Sequence, residues 1–310
     1  MHSTHRLSQV LIGLIVLWIS GSATIGGSAI AAQTPTDAPA ATDTDAEDVL
    51  RAALERQLST SFRYQSIQTF DQTIEFENGE ITESSTQTRI EGAVSAAGAE
   101  QAVIIVESMG YALQLERITI GDDVYVYFEG DAELYGALAD VLLGGWRRAD
   151  AVRAALTEMA SITSQSVTFD LFVNTRSTAW YVVRNDQYWD SVTEGEAETL
   201  DGRAARRFSI EIDEIAALLG ERPEGLEAPL GQIMRQASVT TSTVTATAWL
   251  DAETGDLMRI DAAGDIDQPY LDADLDPPLN IAEQWTATIT FSDYGTAVEI
   301  APPEVLAADP

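Results

Sequence analysis

The chain has 310 residues, with 50 acidic side chains against 17 basic ones and a formal net charge of −33. Every basic residue is an arginine, lysine and cysteine are absent, and the only histidines are His2 and His5. Without the extreme N-terminus, that alphabet excludes Ser-His-Asp and Cys-His catalysis, most zinc and redox-metal sites, a P-loop, Schiff-base chemistry and disulfides. So negative a field also disfavours nucleic acid and anionic membrane surfaces as charge-driven partners. Carboxylate chemistry, hard-cation binding or binding by apolar area remain.

The N-terminus reads as an export signal over residues 1–31. Arg6 precedes the apolar run Val10 to Ile19, and Ala29-Ile30-Ala31 offers an A-x-A-like site, so cleavage is expected before Ala32. The run is shorter than the ~20 residues a spanning helix needs, which argues against a retained anchor. With no cysteine to acylate, no covalent lipid anchor is expected. Residues 32–46, all small, polar or acidic, read as a disordered acidic linker. The folded domain is expected over 47–303, with a short tail at 304–310.

Within that domain the spacing predicts a helix over 47–58, with Leu50, Leu54 and Leu58 at i, i+4 and i+8. The period then changes to two. Phe62, Tyr64 and Phe70 mark one face of a strand, and Asn78-Gly79 is a hairpin signal. Ala102 to Val106 is a short apolar strand, and Leu113 to Ile120 and Val124 to Phe128 pair around Gly121-Asp122. A helical block follows, with Leu134, Leu138, Val141 and Leu142 before Gly144-Gly145, then Trp146, then Val152, Leu156 and Met159. Strands are expected again at 167–173, Trp180 to Arg184 and Gln187 to Val192, and after the Asp201-Gly202 turn through Phe208, Ile210 and Ile212. A second helical block spans 214–237 and carries Leu218, Leu230 and Met234. Three long strands close the domain, over 239–250, 257–265 and 284–292, each with one apolar and one wet face. The sum is roughly ten strands and an α+β fold: a large, curved antiparallel sheet with helices on one face.

The C-terminal part resembles the LppX/LprG-type envelope lipoproteins, and more loosely the LolA/LolB-like lipoprotein carriers. The likeness rests on Asp201-Gly202 before an alternating strand, on Trp249-Leu250-Asp251 turning through Gly255 into Leu257-Met258-Arg259, and on the ending Ile289 to Gly295 with Val298, Ile300 and Ala301-Pro302. The resemblance implies a half-open barrel with helices on its concave face. An apolar cavity between them would hold acyl chains of lipids, glycolipids or lipidated proteins, with no catalytic residues. The missing acylated cysteine sets this chain apart from the anchored members.

The cavity-lining candidates are Leu138, Leu142, Trp146, Leu156, Met159, Leu218, Leu230 and Met234. Taken singly, each reads first as ordinary core, and the sequence does not distinguish a filled interior from a hollow one. Tyr125, Tyr127 and Phe128, Trp180-Tyr181 and Tyr188-Trp189 read as cross-strand aromatic pairs or as a pocket mouth. Asp272-Ala273-Asp274-Leu275-Asp276 begins like a calcium loop, but Pro277 stands where the glycine is needed, so no metal or other cofactor is expected. The pairs Arg147-Arg148 and Arg206-Arg207 are expected to pair with neighbouring acids. The resulting expectation is an exported, non-enzymatic carrier or binding protein for lipids or lipidated molecules, working with envelope partners. The alternatives are a secreted structural or interaction module and a carboxylate-based hydrolase.

Overall fold

The computed structural model describes residues 44–75, 79–108, 110–130, 139–158, 177–212, 241–270 and 279–305. The signal and most of the linker, the expected strand at 167–173, the block at 214–237 and the acidic loop at 271–278 lie outside the described residues.

Helix α1 (Thr44–Leu58) turns Ala46, Leu50, Ala53, Leu54 and Gln57 inward, a 3.6-residue stripe that explains its formation. Six strands follow as a meander: β1 (Phe62–Glu75), β2 (Ile81–Val94), β3 (Glu100–Ser108), β4 (Tyr111–Ile120), β5 (Asp123–Glu129) and the two-residue β6 (Arg147–Arg148). Between β5 and β6 lies α2 (Ala139–Leu142), and after β6 comes α3 (Ala149–Glu158). Helix α4 (Thr178–Arg184) and a single 3-10 turn (Asp186–Tyr188) lead into the second set: β7 (Trp189–Glu194), β8 (Glu198–Leu200), β9 (Arg203–Ile212), β10 (Thr241–Asp251), β11 (Leu257–Tyr270) and β12 (Leu279–Ser292).

All twelve strands form one sheet in the order β6-β5-β4-β3-β2-β1-β12-β11-β10-β9-β7, with β8 on β9, and every strand pairing is antiparallel. The two ends, β6 and β7, do not pair with each other, so the sheet is open. Its halves join along β1 and β12, from Arg63↔Ser292 to Glu75↔Asn280. The alternation expected from sequence is present. In β1, Phe62, Tyr64, Ser66 and Gln68 are buried, while Arg63, Gln65 and Ile67 are exposed. In β10, Ala246, Ala248 and Leu250 are buried, with Thr245 exposed and Thr247 half-buried on the other face. Asp201 (φ 52°) and Gly202 (φ 80°) make the two-residue primed turn that a tight hairpin requires.

One expected strand is corrected. Trp180 to Arg184 is not extended but forms α4, with Ala179, Trp180, Val182 and Val183 buried on helical spacing. The β-branched and aromatic content favours a strand, and tertiary burial overrides that preference. The segment from Gln187 likewise begins as a 3-10 turn and becomes extended only at Trp189.

Two glycines on the concave face make room for aromatic rings. Gly92 is the cross-strand partner of Tyr64, and Gly264 of Trp285. A Cβ at Gly92 would lie 2.4 Å from the Tyr64 ring, and one at Gly264 would lie 2.4 Å from the Trp285 indole nitrogen. Gly264→Ala is therefore expected to cost about 1–3 kcal/mol through overpacking, whereas Gly195→Ala, whose Cβ meets nothing closer than 3.8 Å, stays near wild type. Urea unfolding of the two variants checks the contrast.

The β10–β11 hairpin is held by a buried carboxylate. Asp251 accepts the backbone N–H groups of Glu253 and Thr254, both at 2.8 Å, and pairs with Arg203. The Thr254 and Glu253 N–H bonds and the Arg203 charge hold it below the usual carboxylate range, against the opposing effect of burial. A depressed folded pKa means that this contribution is present above the unfolded value and is lost as pH falls through the folded one. The urea midpoint of wild type should therefore fall more steeply below about pH 4 than that of Asp251→Asn. Parallel acid limbs would contradict the assignment.

Candidate functional site

The concave face carries a single apolar core cluster that runs across both halves of the sheet. Ile90 and Ile104 in the first half of the sheet, and Phe208, Ile260 and Ile289 in the second, are almost completely buried in a single core cluster. Described helices bear on it in two groups. Helix α4 lies against β10, β11 and β12, and α1 against β7 and β11, while α3 lies against β5 and β6. The inner faces of β2, β3 and β4 make no comparable contact with any described helix. That strip carries Ile90, Ala102, Ile104, Val106 and Leu115, with Leu113 half-buried at its edge.

Helix α4 is fixed at its start by the sheet. Gln68 Oε1 accepts from the Thr178 backbone N–H at 3.1 Å and from the Thr178 hydroxyl at 2.9 Å, and Ser66 donates to the Ser177 hydroxyl at 2.8 Å. Gln68 thus satisfies a helix N–H that would otherwise be left without a partner. The helix then inserts Trp180 into an aromatic nest, with ring centroids 5.4 Å from Tyr64, 5.6 Å from Phe62 and 5.8 Å from Phe291. These distances are those of favourable edge and tilted aromatic contacts. Burial also pushes the Tyr181 phenol up.

Polar groups on the concave face are mostly neutral and paired. The Tyr64 ring lies over Gly92, across β2, so that its hydroxyl donates to Glu100 on β3 at 2.5 Å. Arg117 donates to the same carboxylate at 2.9 Å, making a buried ion pair. Gln72 donates to Glu283 at 2.5 Å, and Thr86 to Ser108 at 2.8 Å. Thr88 Oγ1, one strand row from Thr86, is buried without a partner among the described residues. So is Trp180 Nε1. Among the described residues no cluster of three or more His, Cys, Asp or Glu side chains is arranged to hold a metal.

Of the residues singled out from sequence, Leu142 is buried in the core at the end of α2. Trp146 is half-buried, and its ring stacks on Tyr127 at 5.8 Å. Tyr127 alternates with Val126 and Phe128, which join the core, so this stack belongs to the convex side. Leu156 lies in α3, with its side chain outside the described residues; Leu138, Met159, Leu218, Leu230 and Met234 lie outside them altogether. Of the two arginine pairs, Arg148 and Arg206 meet acids as expected, whereas Arg147 donates to backbone carbonyls. Arg148 contacts Asp123 and Asp150, Arg206 grips Glu194 with two bonds at 2.7 and 2.8 Å, and Arg147 caps the carbonyls of Asp140 and Leu143. Sequence reasoning missed the Trp180 nest and the Gln68 cap. The available signal was that Ser66, Gln68 and Gln72 share the buried parity of β1, where a solvated strand would carry charge.

No family model matches the chain, and no curated protein matches its sequence. Solved structures similar in fold include LprF from Mycobacterium bovis, at 15% identity and TM-score 0.37, covering 84% of this chain and 98% of that one. The lipoprotein LppX of Mycobacterium tuberculosis is similar at 13% identity and TM-score 0.37, over 84% of this chain and all (100%) of that one. A putative outer membrane lipoprotein-sorting protein domain from Vibrio parahaemolyticus follows, at 9% identity and TM-score 0.24, over 83% and 94% of the two chains. These are the lipoprotein types that the C-terminal motif resembles, and the likeness is one of fold.

The nest gives a graded expectation. Trp180→Ala should cost about 3–5 kcal/mol, the range for emptying a buried aromatic site. Trp180→Phe should cost less than about 1.5 kcal/mol, since it keeps the ring and removes an indole N–H that has no described partner. Denaturant midpoints of the two variants test this, and equal losses would contradict it.

Proposed function

We propose that the protein is an exported, non-enzymatic carrier that holds acyl chains of lipids or lipidated molecules against the concave face. The observation that carries the reading is the apolar strip over β2–β4, flanked on both sides by short helices and met by no described helix itself. Binding there is driven by apolar area removed from water, about 25 cal/mol per Å². Leu142, buried in the same core cluster, and the remaining candidates named above are the residues we assign to the lining. The buried glutamates support a binding role over catalysis: Glu100 holds Tyr64 and Arg117, and Glu283 holds Gln72, so each is engaged within the fold. Residues 1–31 serve as the export signal, and the large excess of acidic over basic side chains keeps the protein soluble outside the cytoplasm. No described helix is long and apolar enough to cross a membrane.

Native mass spectrometry of the purified protein, with lipid extraction and titration of a fluorescent acyl probe, tests the proposal. Bound lipid and saturable probe uptake are expected. Leu113→Glu, at the half-buried edge of the strip, should weaken probe binding at least about tenfold while leaving the fold cooperative, because an ionised carboxylate is costly in apolar surroundings. Absence of both lipid and probe uptake would count against the carrier.

A further inference from the structure

The convex face carries a second, smaller apolar row that the concave core does not include. Ala93, Ile118 and Tyr125 are buried, at 8%, 5% and 9% exposure, yet none belongs to the main core cluster. They lie on one line across the strands. Ser292 pairs with Arg63, Arg63 with Ala93, Ala93 with Gln101, Gln101 with Ile118, Ile118 with Tyr125 and Tyr125 with Arg148. The segment that follows β12 is anchored at both ends of this line. At the start, Gly295 N–H donates to the Ser61 carbonyl at 2.9 Å, and the Ser61 hydroxyl donates to the Thr296 carbonyl at 2.7 Å. At the far end, Val305 makes a parallel bridge with Trp146, next to β6. Between the anchors Val298 and Ile300 are half-buried, alternating with exposed Ala297, Glu299 and Ala301, as in an extended segment lying with one side on a surface.

We propose that residues 296–305 are a latch. They cross the convex face over the Ala93–Ile118–Tyr125 row and clamp Trp146, which stacks on Tyr127 and directly precedes β6 and α3. The β5–β6 pairing is only two residue pairs long, Tyr125↔Arg148 and Val126↔Arg147, and cannot by itself hold the helical insert. The latch adds a restraint from the opposite face to the packing of Leu142, Ala149 and Val152 in the core. Gly144, at φ 97°, and Gly145 lie between α2 and the clamped tryptophan and form the hinge. Release of the latch frees α2 and α3 from the sheet edge while the β1–β12 seam stays intact. In the carrier reading, on which only this last step rests, that release uncovers one side of the apolar strip.

Hydrogen exchange by mass spectrometry decides the proposal without any ligand. In a chain ending at Thr296, amides of 123–158 should exchange at least about tenfold faster, while those of 62–75 and 279–292 keep their protection. Unchanged exchange at 123–158, or equal acceleration everywhere, would overturn the latch. Should the shortened chain not fold, the full-length double variant Trp146→Cys/Val305→Cys decides. The chain has no other cysteine, and a β-bridge brings neighbouring strands to about 4.8 Å, within disulfide reach. Oxidation should slow exchange at 123–158 and reduction restore it; equal protection in both states would refute the latch. Acyl-probe uptake slower in the oxidised form links the latch to carriage. Uptake in neither form would overturn the carrier reading, and exchange alone would still judge the latch.

Discussion

The structure depends on pairing its first strand with its last. Strands β1 to β6 form one meander of sequence neighbours, and β9 to β12 a second, with β7 and β8 both paired to β9. Only the β1–β12 seam makes them a single sheet. Without it, both halves would present long, unpaired edges at β1 and β12, a hazard that natural sheets avoid. The seam is the most sequence-distant pairing in the chain, so its loop-closure cost falls late and folding is expected to be slow for the size of the domain. Its inner side is correspondingly well specified. Phe70 faces Trp285 with ring centroids 6.5 Å apart, and Gln72 is bonded to Glu283 one row further along. A one-residue slip would expose these pairs and bury Asp71, so polarity as well as area fixes the register.

The aromatic nest sits on the same seam. Phe62 and Tyr64 come from β1, Phe291 from β12, and Trp180 from the short helix between the two meanders. A seven-residue helix cannot stand alone in water. It exists because Gln68 caps it and because its tryptophan joins rings from both halves. The helix in turn covers the seam where the two apolar faces meet. Gly92 plays a matching part on the other side of β1. Any larger residue would lift the Tyr64 ring and separate its hydroxyl from Glu100 and Arg117.

Much of this was legible in the sequence, and the failures have a common cause. Strands with one wet face announced themselves. The Thr/Ala alternation of β10 and the Thr/Ile alternation of β12 can be satisfied only by a pleated sheet with one buried side. The Asp201-Gly202 turn was equally plain, because few other dipeptides adopt two successive positive φ values. What misled was the segment around Trp180. Trp-Tyr-Val-Val has the composition of a buried strand and is too short for periodicity to arbitrate. Its conformation is dictated by Gln68 and Phe62, more than a hundred residues earlier in the chain. Trp146 has its ring on Tyr127, a pairing that the flanking glycines and arginines did not announce.

The restricted alphabet bears on how polarity is handled inside. With no lysine or histidine in the folded part, buried acids have only arginine, amide and hydroxyl donors to meet them. Glu100 receives an arginine and a tyrosine, Glu283 a glutamine, and Asp251 two backbone N–H groups and an arginine. Each of these carboxylates is thus tied to named donors within the fold. The inner polar groups are therefore fastened by the sheet itself, whereas the β6 edge is joined to the sheet by only two residue pairs and by the bridge of Val305 to Trp146.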